Sequence, residues 1–194
     1  VINALNQEVV FKYDKAGRMT ELTAPNEAKT LYEYDSLGRL EKMTDPLKGE
    51  TKHSYDAVGN LIEVTDPMGE KATYKYDLMN RLMTQTDRRE KTTTREYLDI
   101  DGIIKIKDPT GAVTMQKFDA LDQLIEEVNP LGHKTAYQYD ALGRAVEVED
   151  ALGSVEYMKF DAVGNLTNHT DKNGNKSDYS YDLVGNLLAR ENPV

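Results

Sequence analysis

Cysteine and tryptophan are absent from the 194 residues, and basic side chains are scarce, 24 Lys and Arg against 34 Asp and Glu. Without Cys there is no disulfide scaffold, no thiolate zinc site and no Cys nucleophile. The net charge of −10 leaves no excess of cations to displace counterions from phosphates, so no nucleic-acid partner is expected. No run of eighteen apolar residues occurs, and no membrane insertion is expected either. Val1 to Val10 lack the basic start and apolar stretch of a signal peptide. With 39% hydrophobic and 30% charged residues, composition alone would suit a disordered chain. The order of the residues says otherwise.

An aromatic recurs at Tyr13, Tyr34, Tyr55, Tyr76, Tyr97, Phe118, Tyr139, Phe160 and Tyr181, every step being 21 residues. Asp follows in eight of the nine copies, from Asp14 to Asp182, and Leu98 alone breaks the column. Three residues later come Gly17, Gly38, Gly59, Asn80, Asp101, Asp122, Gly143, Gly164 and Gly185. Gly, Asn and Asp are the residues that tolerate positive φ, so this column reads as a backbone requirement. Half a period away stand Asp45-Pro46-Leu47, Asp66-Pro67-Met68-Gly69, Asp108-Pro109-Thr110-Gly111 and Asn129-Pro130-Leu131-Gly132. Asp87, Asp150 and Asp171 keep the acid but are followed by Arg88, Ala151 and Lys172. Both marks have the residue order of type I turns, and the first also suits a three-residue hairpin loop.

Turns every ten or eleven residues leave room for strands of about six, a normal length. The first strands alternate, as in Tyr32-Glu33-Tyr34, whereas a helix would need spacings of three and four. A bulged loop would set Tyr34 opposite Leu40, with Ile62 and Val64, Ile104 and Ile106, and Val146 and Val148 on the face opposite the tyrosines. The expected fold class is therefore all-β: nine 21-residue repeats, each a two-stranded antiparallel hairpin, joined in one curved continuous sheet. Eighteen strands at ~4.8 Å would make a ribbon on the order of 85 Å wide, which must curl. A propeller is the competing architecture, since two repeats match a four-stranded blade. Yet odd and even repeats read alike, and an odd copy number leaves half a blade over.

Charged columns run through both strands: Lys12, Glu33, Lys75, Glu96, Lys117 and Lys159 in one, Glu21, Lys42, Glu63, Lys105, Glu126 and Glu147 in the other. A sheet covered on both sides would bury these at several kcal/mol each. A single wetted layer leaves them solvated, which favours a wall over a solid domain.

Motifs such as Tyr34-Asp35-Ser36-Leu37-Gly38-Arg39-Leu40 and Tyr55-Asp56-Ala57-Val58-Gly59-Asn60-Leu61, followed by Thr65-Asp66-Pro67-Met68-Gly69, resemble the RHS/YD repeat. The resemblance covers nearly the whole chain, from about Val10 to Asn192. It implies a segment of the hollow spiral shell of β-hairpins found in bacterial polymorphic toxins, insecticidal toxin-complex cocoons and teneurins. On that reading residues 1–194 are one repeat array, a fragment of a larger secreted or cell-surface protein. Its partners would be the rest of the shell and an enclosed C-terminal toxin. The family's self-cleaving element and toxin domain have no counterpart in the sequence, so no enzymatic role carries over and no cofactor is expected.

Candidate sites reduce to a short set. His53, His133 and His169 occupy unrelated columns with no shared ligand spacing. Asp171-Lys172-Asn173-Gly174-Asn175 and Asp99-Ile100-Asp101-Gly102 echo calcium loops but miss the Gly or Glu such loops need. The aspartates from Asp14 to Asp182 read as turn starters rather than acid–base pairs. The tyrosine columns could bind carbohydrate or a partner protein, although packing against Leu40-type neighbours explains them more simply. The fifth repeat is the least regular, with Leu98, Arg88-Arg89, Arg95 and Gln116 at column positions; it reads as drift in a redundant array or as a seam. Edge strands near Val9–Tyr13 and Leu187–Arg190 would invite edge-to-edge self-association.

Overall fold

The computed structural model describes residues 8–192, and the leader reading of Val1 to Val10 therefore lies largely outside the described residues. The chain divides into two compact units, one up to Thr94 and one from Arg95, with the boundary inside the ninth strand. The first unit contains β1 (Val10–Tyr13), β2 (Met19–Thr23), β3 (Lys29–Tyr34), β4 (Leu40–Thr44) and β5 (Glu50–Tyr55). It continues with β6 (Leu61–Thr65), β7 (Lys71–Tyr76), β8 (Leu82–Thr86) and the start of β9 (Thr92–Leu98). The second contains β10 (Ile103–Lys107), β11 (Val113–Phe118), β12 (Leu124–Val128), β13 (Lys134–Tyr139) and β14 (Ala145–Glu149). It ends with β15 (Val155–Phe160), β16 (Leu166–Thr170), β17 (Lys176–Tyr181) and β18 (Leu187–Glu191). No helix occurs among the described residues. In each unit consecutive strands pair antiparallel. The fold is all-β and built of hairpins at the 21-residue period.

An aspartate makes most of the turns. Asp35 N–H donates to the Arg39 carbonyl at 2.9 Å, and Gly38 N–H donates to the Asp35 carbonyl at 2.9 Å. The Asp35 carboxylate then accepts the amides of Leu37 and Arg39, both at 2.9 Å. These are amides that no ladder could satisfy, so one side chain closes the loop. The half-period turns work identically: Asp45 accepts from Leu47 and Gly49 at 2.8 and 2.7 Å. Asp150 does the same for Leu152 and Ser154 without a proline. Proline only presets φ, while an Asp or Asn oxygen takes the free amides; Asn129 accepts from Leu131 and His133, and in the turn that begins at Ala24 it is Asn26 that accepts, from Ala28.

The left-handed position falls on the expected column in eight copies, Asn80 and Asp122 among them. The fifth copy departs. There positive φ moves from the expected Asp101 to Gly102, at +63°. Leu98 brings no carboxylate to gather the turn amides, and β9 runs on through it. A Cβ at Gly102 would lie 2.6 Å from the Phe118 carbonyl oxygen, so the displaced turn also demands glycine.

Tyr34 faces Leu40 as expected, with a register shift between Glu33 and Tyr34. The bulge corrects the expected faces. Val64 pairs with His53, and Val148 with Tyr137, so these valines share the tyrosine face instead of opposing it. An extra residue in the second strand reverses the alternation that the sequence alone implies. The charged columns then pair on the other face, Lys12 with Glu21 and Glu33 with Lys42.

No hydrophobic side chain is fully buried among the described residues, and only Ser177 is buried at all. The chain exposes 13578 Å², whereas a compact monomer of its 21.9 kDa mass would expose about 9,300 Å². The excess is what a single layer with two wet faces produces.

Lys48, Glu27 and Glu90 hold the left-handed turn position without being Gly or Asn, a conformation that costs an ordinary residue about 1–2 kcal/mol. Lys48→Gly should therefore raise the melting temperature, and Gly38→Val, at φ +82°, should lower it by several degrees. Thermal denaturation followed by circular dichroism checks both signs.

Candidate functional site

The densest chemistry in the chain is the joint between one repeat and the next. Arg39 follows the turn glycine, and its Nε donates to Asp35 Oδ2 at 2.7 Å. Its Nη1 reaches forward to the Asp56 carbonyl at 3.2 Å, and its guanidinium lies 4.6 Å from the centre of the Tyr55 ring. Tyr55 in turn donates its hydroxyl back to the Leu40 carbonyl at 2.9 Å. The same set recurs at Arg144, which binds Asp140 at 2.6 Å and the Asp161 carbonyl at 3.0 Å and stacks on Phe160. Arg18 stacks on Tyr34, whose hydroxyl bonds the Met19 carbonyl at 2.8 Å. Tyr76, Tyr139 and Tyr181 make the equivalent bond to Leu61, Leu124 and Leu166. Where Asn replaces Arg, the Asn165 and Asn186 amides still bind Asp161 and Asp182.

Where the residue after the turn glycine is Arg, as at Arg18, Arg39 and Arg144, the joint couples a turn carboxylate, a cation and an aromatic from adjacent repeats. A cation over a ring at a partly exposed site contributes about 0.5–1 kcal/mol, and a hydrogen bond about 1 kcal/mol net. Small as these are, they recur along the array.

The other face is laced with ion pairs. Lys42 bridges Glu33 at 2.6 Å and Glu50 at 3.4 Å, Lys71 bridges Glu63 at 2.9 Å, and Lys134 bridges Glu126 at 2.6 Å. Lys42 and Lys52 are direct cross-strand neighbours, and Glu50 sits between them, 3.2 Å from Lys52. Exposed pairs contribute little each; their effect is to keep like charges from meeting across strands.

The expected candidate residues do not converge. His53 lies half-buried on the tyrosine face, with Nδ1 buried and unpartnered, and burial holds its pKa below the ordinary value. His133 sits at an exposed turn, its amide bound to Asn129. His169 contacts Glu156 at 2.5 Å. The Asp171 carboxylate is occupied by the amides of Asn173 and Asn175 and by the Asn175 side chain. Among the described residues no group of three or more His, Asp or Glu side chains could hold a metal. An open groove beside Arg88 and Arg89 is lined by Glu70, Lys71, Asp87 and Glu90, a mixture of signs that focuses no field. Of the tyrosines proposed as a sugar surface, Tyr34, Tyr55, Tyr76, Tyr139 and Tyr181 have hydroxyls committed to backbone carbonyls, and Arg covers the rings of Tyr34 and Tyr55.

With the joint described, the comparisons with known proteins can be stated. A family model of the teneurin YD-shell matches residues 33–193. The chain belongs to the teneurin YD-shell family. An RHS-repeat model matches residues 13–50 of this YD-shell chain as well. No curated protein matches its sequence. Among solved structures it is similar to the crystal structure of TcdB2-TccC3, at 14% identity and a TM-score of 0.74 over 98% of this chain. It is similar also to that of TcdB2-TccC3-Cdc42, at 14% identity and a TM-score of 0.73 over 97%. At that identity the likeness shows the fold. The YD-shell segment spans 12% and 11% of those two chains.

The turn carboxylates respond to pH. The Arg39 amide and guanidinium hold Asp35 below its ordinary value of 3.8, and the Arg81 amide and side chain do so for Asp77. The Arg144 side chain lowers Asp140, and the Asn175 side chain lowers Asp171. A depressed folded-state pKa contributes stability that is present above the unfolded value and lost as pH falls through the folded one. The melting temperature should therefore fall gently between about pH 7 and 5, where burial keeps His53 from taking up its proton, and drop steeply below about pH 4. A melting temperature that holds to about pH 2.5 would show that these carboxylates do not support the fold.

Proposed function

We propose that residues 1–194 form a single array that serves as wall material of a larger YD shell, without catalysis, and that this shell encloses a C-terminal toxin segment outside the producing cell. Family membership supports the shell role, and the likeness to chains of toxin complexes favours encapsulation over display of a surface. The observation that carries the reading is the joint: within each unit side-chain bonds tie one hairpin to the next, as at Arg39, Tyr55 and Arg144, while no side chains gather into a metal-holding group among the described residues. A device of this build extends a surface. The adhesion reading, in which tyrosine columns bind carbohydrate or a partner protein, is weakened by the engagement of those same hydroxyls and rings.

Limited proteolysis of the full-length protein that carries this array tests the proposal. The segment following the shell should resist protease in the intact protein and be cleaved once residues 1–194 are deleted. Equal cleavage in both, or saturable glycan binding by the array itself, would favour display over enclosure.

A further inference from the structure

In the second unit the face that carries the charged columns changes character over β10 to β13. Cross-strand pairing sets Lys107 opposite Val113, Lys105 opposite Met115, Met115 opposite Val128 and Lys117 opposite Glu126. Residues paired in this way share one face. On β13 the same face presents Lys134, opposite Val128, and Ala136, opposite Glu126. Val113 and Met115 are each 38% exposed, with Val128 and Ala136 half-buried beside them. Two periods earlier the positions of Val113, Met115 and Val128 are held by Lys71, Thr73 and Thr86. One period earlier they are held by Thr92, Thr94 and Lys107. Three apolar side chains thus meet on a face that is polar in the two copies before them.

Charge departs likewise. β10 to β13 bring Lys105, Lys107, Lys117 and Lys134 to this face against one carboxylate, Glu126, in a chain of net charge −10. Glu126 is taken by Lys134 at 2.6 Å, and Lys105 reaches Glu96 at 3.5 Å. Lys107 and Lys117, both exposed, have no acidic partner among the described residues. They stand at opposite ends of the apolar centre, since Val113, which faces Lys107, lies ~13 Å from Lys117 along β11.

An exposed apolar centre with a polar rim marks an interaction surface, and cations at its two ends select a partner of opposite charge. Nucleic acid fits this centre poorly: Val113, Met115, Val128 and Ala136 offer no ring for a base to stack on, and the acidic remainder of the chain repels a polyanion. We infer that this face of β10 to β13 docks an acidic amphipathic segment of another polypeptide. Its apolar side chains lie on Val113, Met115 and Val128, and its carboxylates meet Lys107 and Lys117. On a helix ~13 Å is about nine residues, which sets the spacing of the two acids about the apolar residues between them. The inference is independent of the shell reading, because it uses neither enclosure nor the margins of the ribbon.

Fluorescence anisotropy on the 194-residue chain tests the docking face. The probe is a labelled helix-forming peptide of about twenty residues, with Leu on one face flanked by Glu at that spacing. Its binding should saturate and should weaken as salt rises. A counterpart with Lys for each Glu, and another with Ser for each Leu, should bind at least tenfold more weakly. Val113→Thr/Met115→Thr/Val128→Thr installs the residue type of Thr92, Thr94 and Thr86, and Lys107→Thr/Lys117→Glu that of Thr86 and Glu96, in the same columns. Each set should cost at least tenfold in affinity while leaving dichroism and melting temperature near wild type, and Lys75→Glu, on the first unit, should leave binding unchanged. Absence of saturable binding, equal affinity for the Lys counterpart, or affinity retained in both variant sets would overturn the inference. So would a single-stranded oligonucleotide of equal charge that binds as tightly as the peptide. All of these outcomes leave the shell reading standing, since that is tested separately by proteolysis of the intact protein.

Discussion

The turn carboxylate, which at Asp35 holds two backbone amides and a neighbouring cation, is the interaction on which most of the rest depends. A three-residue loop between strands leaves amides that the ladder cannot reach, and Asp35 satisfies those of Leu37 and Arg39 directly. Having done so, its second oxygen anchors Arg39, and Arg39 is thereby aimed at the next repeat. Turn closure and repeat coupling are thus the same interaction seen from two sides. Where the carboxylate is missing, at Leu98, the left-handed residue moves by one position and the turn is rebuilt around Gly102.

A protein held this way does without a conventional core. Hydrophobic burial is the dominant stabilising term in most domains, but here no aliphatic or aromatic side chain among the described residues is fully buried. What replaces a core is repetition: each hairpin contacts mainly its neighbours, so stability approximates a sum of like increments. The tyrosine hydroxyls matter in that sum because they satisfy carbonyls of the preceding repeat, a bond that Phe118 and Phe160 forgo. Opposed Lys and Glu columns on the other face let a thin, strongly charged layer stay wet without like charges colliding.

Much of this was legible from the sequence. The 21-residue recurrence of an aromatic, an acid and a turn former led to nine hairpins, to Tyr34 facing Leu40 and to a layer without a thick core. Three features were not. The facing of Val64 and Val148 differs from the expected one because a bulge consumes one residue, and nothing in composition marks which strand carries it. The reach of the tyrosine hydroxyls across fifteen residues was invisible, since aromatic packing and hydrogen bonding prescribe the same residue. The cation stack was recoverable in principle: Arg18, Arg39, Asn60, Arg81, Gln123, Arg144, Asn165 and Asn186 form a column of side-chain donors after the turn residue. The turn former before it explains the local sequence by itself, so the column carries no separate signal.

The account stands or falls on the joint being a coupled unit. A double-mutant cycle on Arg39→Ala and Tyr55→Leu, read from denaturant unfolding, measures that coupling with the rest of the array intact. The two changes should interact by about 0.5–1 kcal/mol, since either one alone already breaks the contact. Strict additivity would mean that Arg39 and Tyr55 contribute independently, and that consecutive repeats are held by their backbone ladders alone.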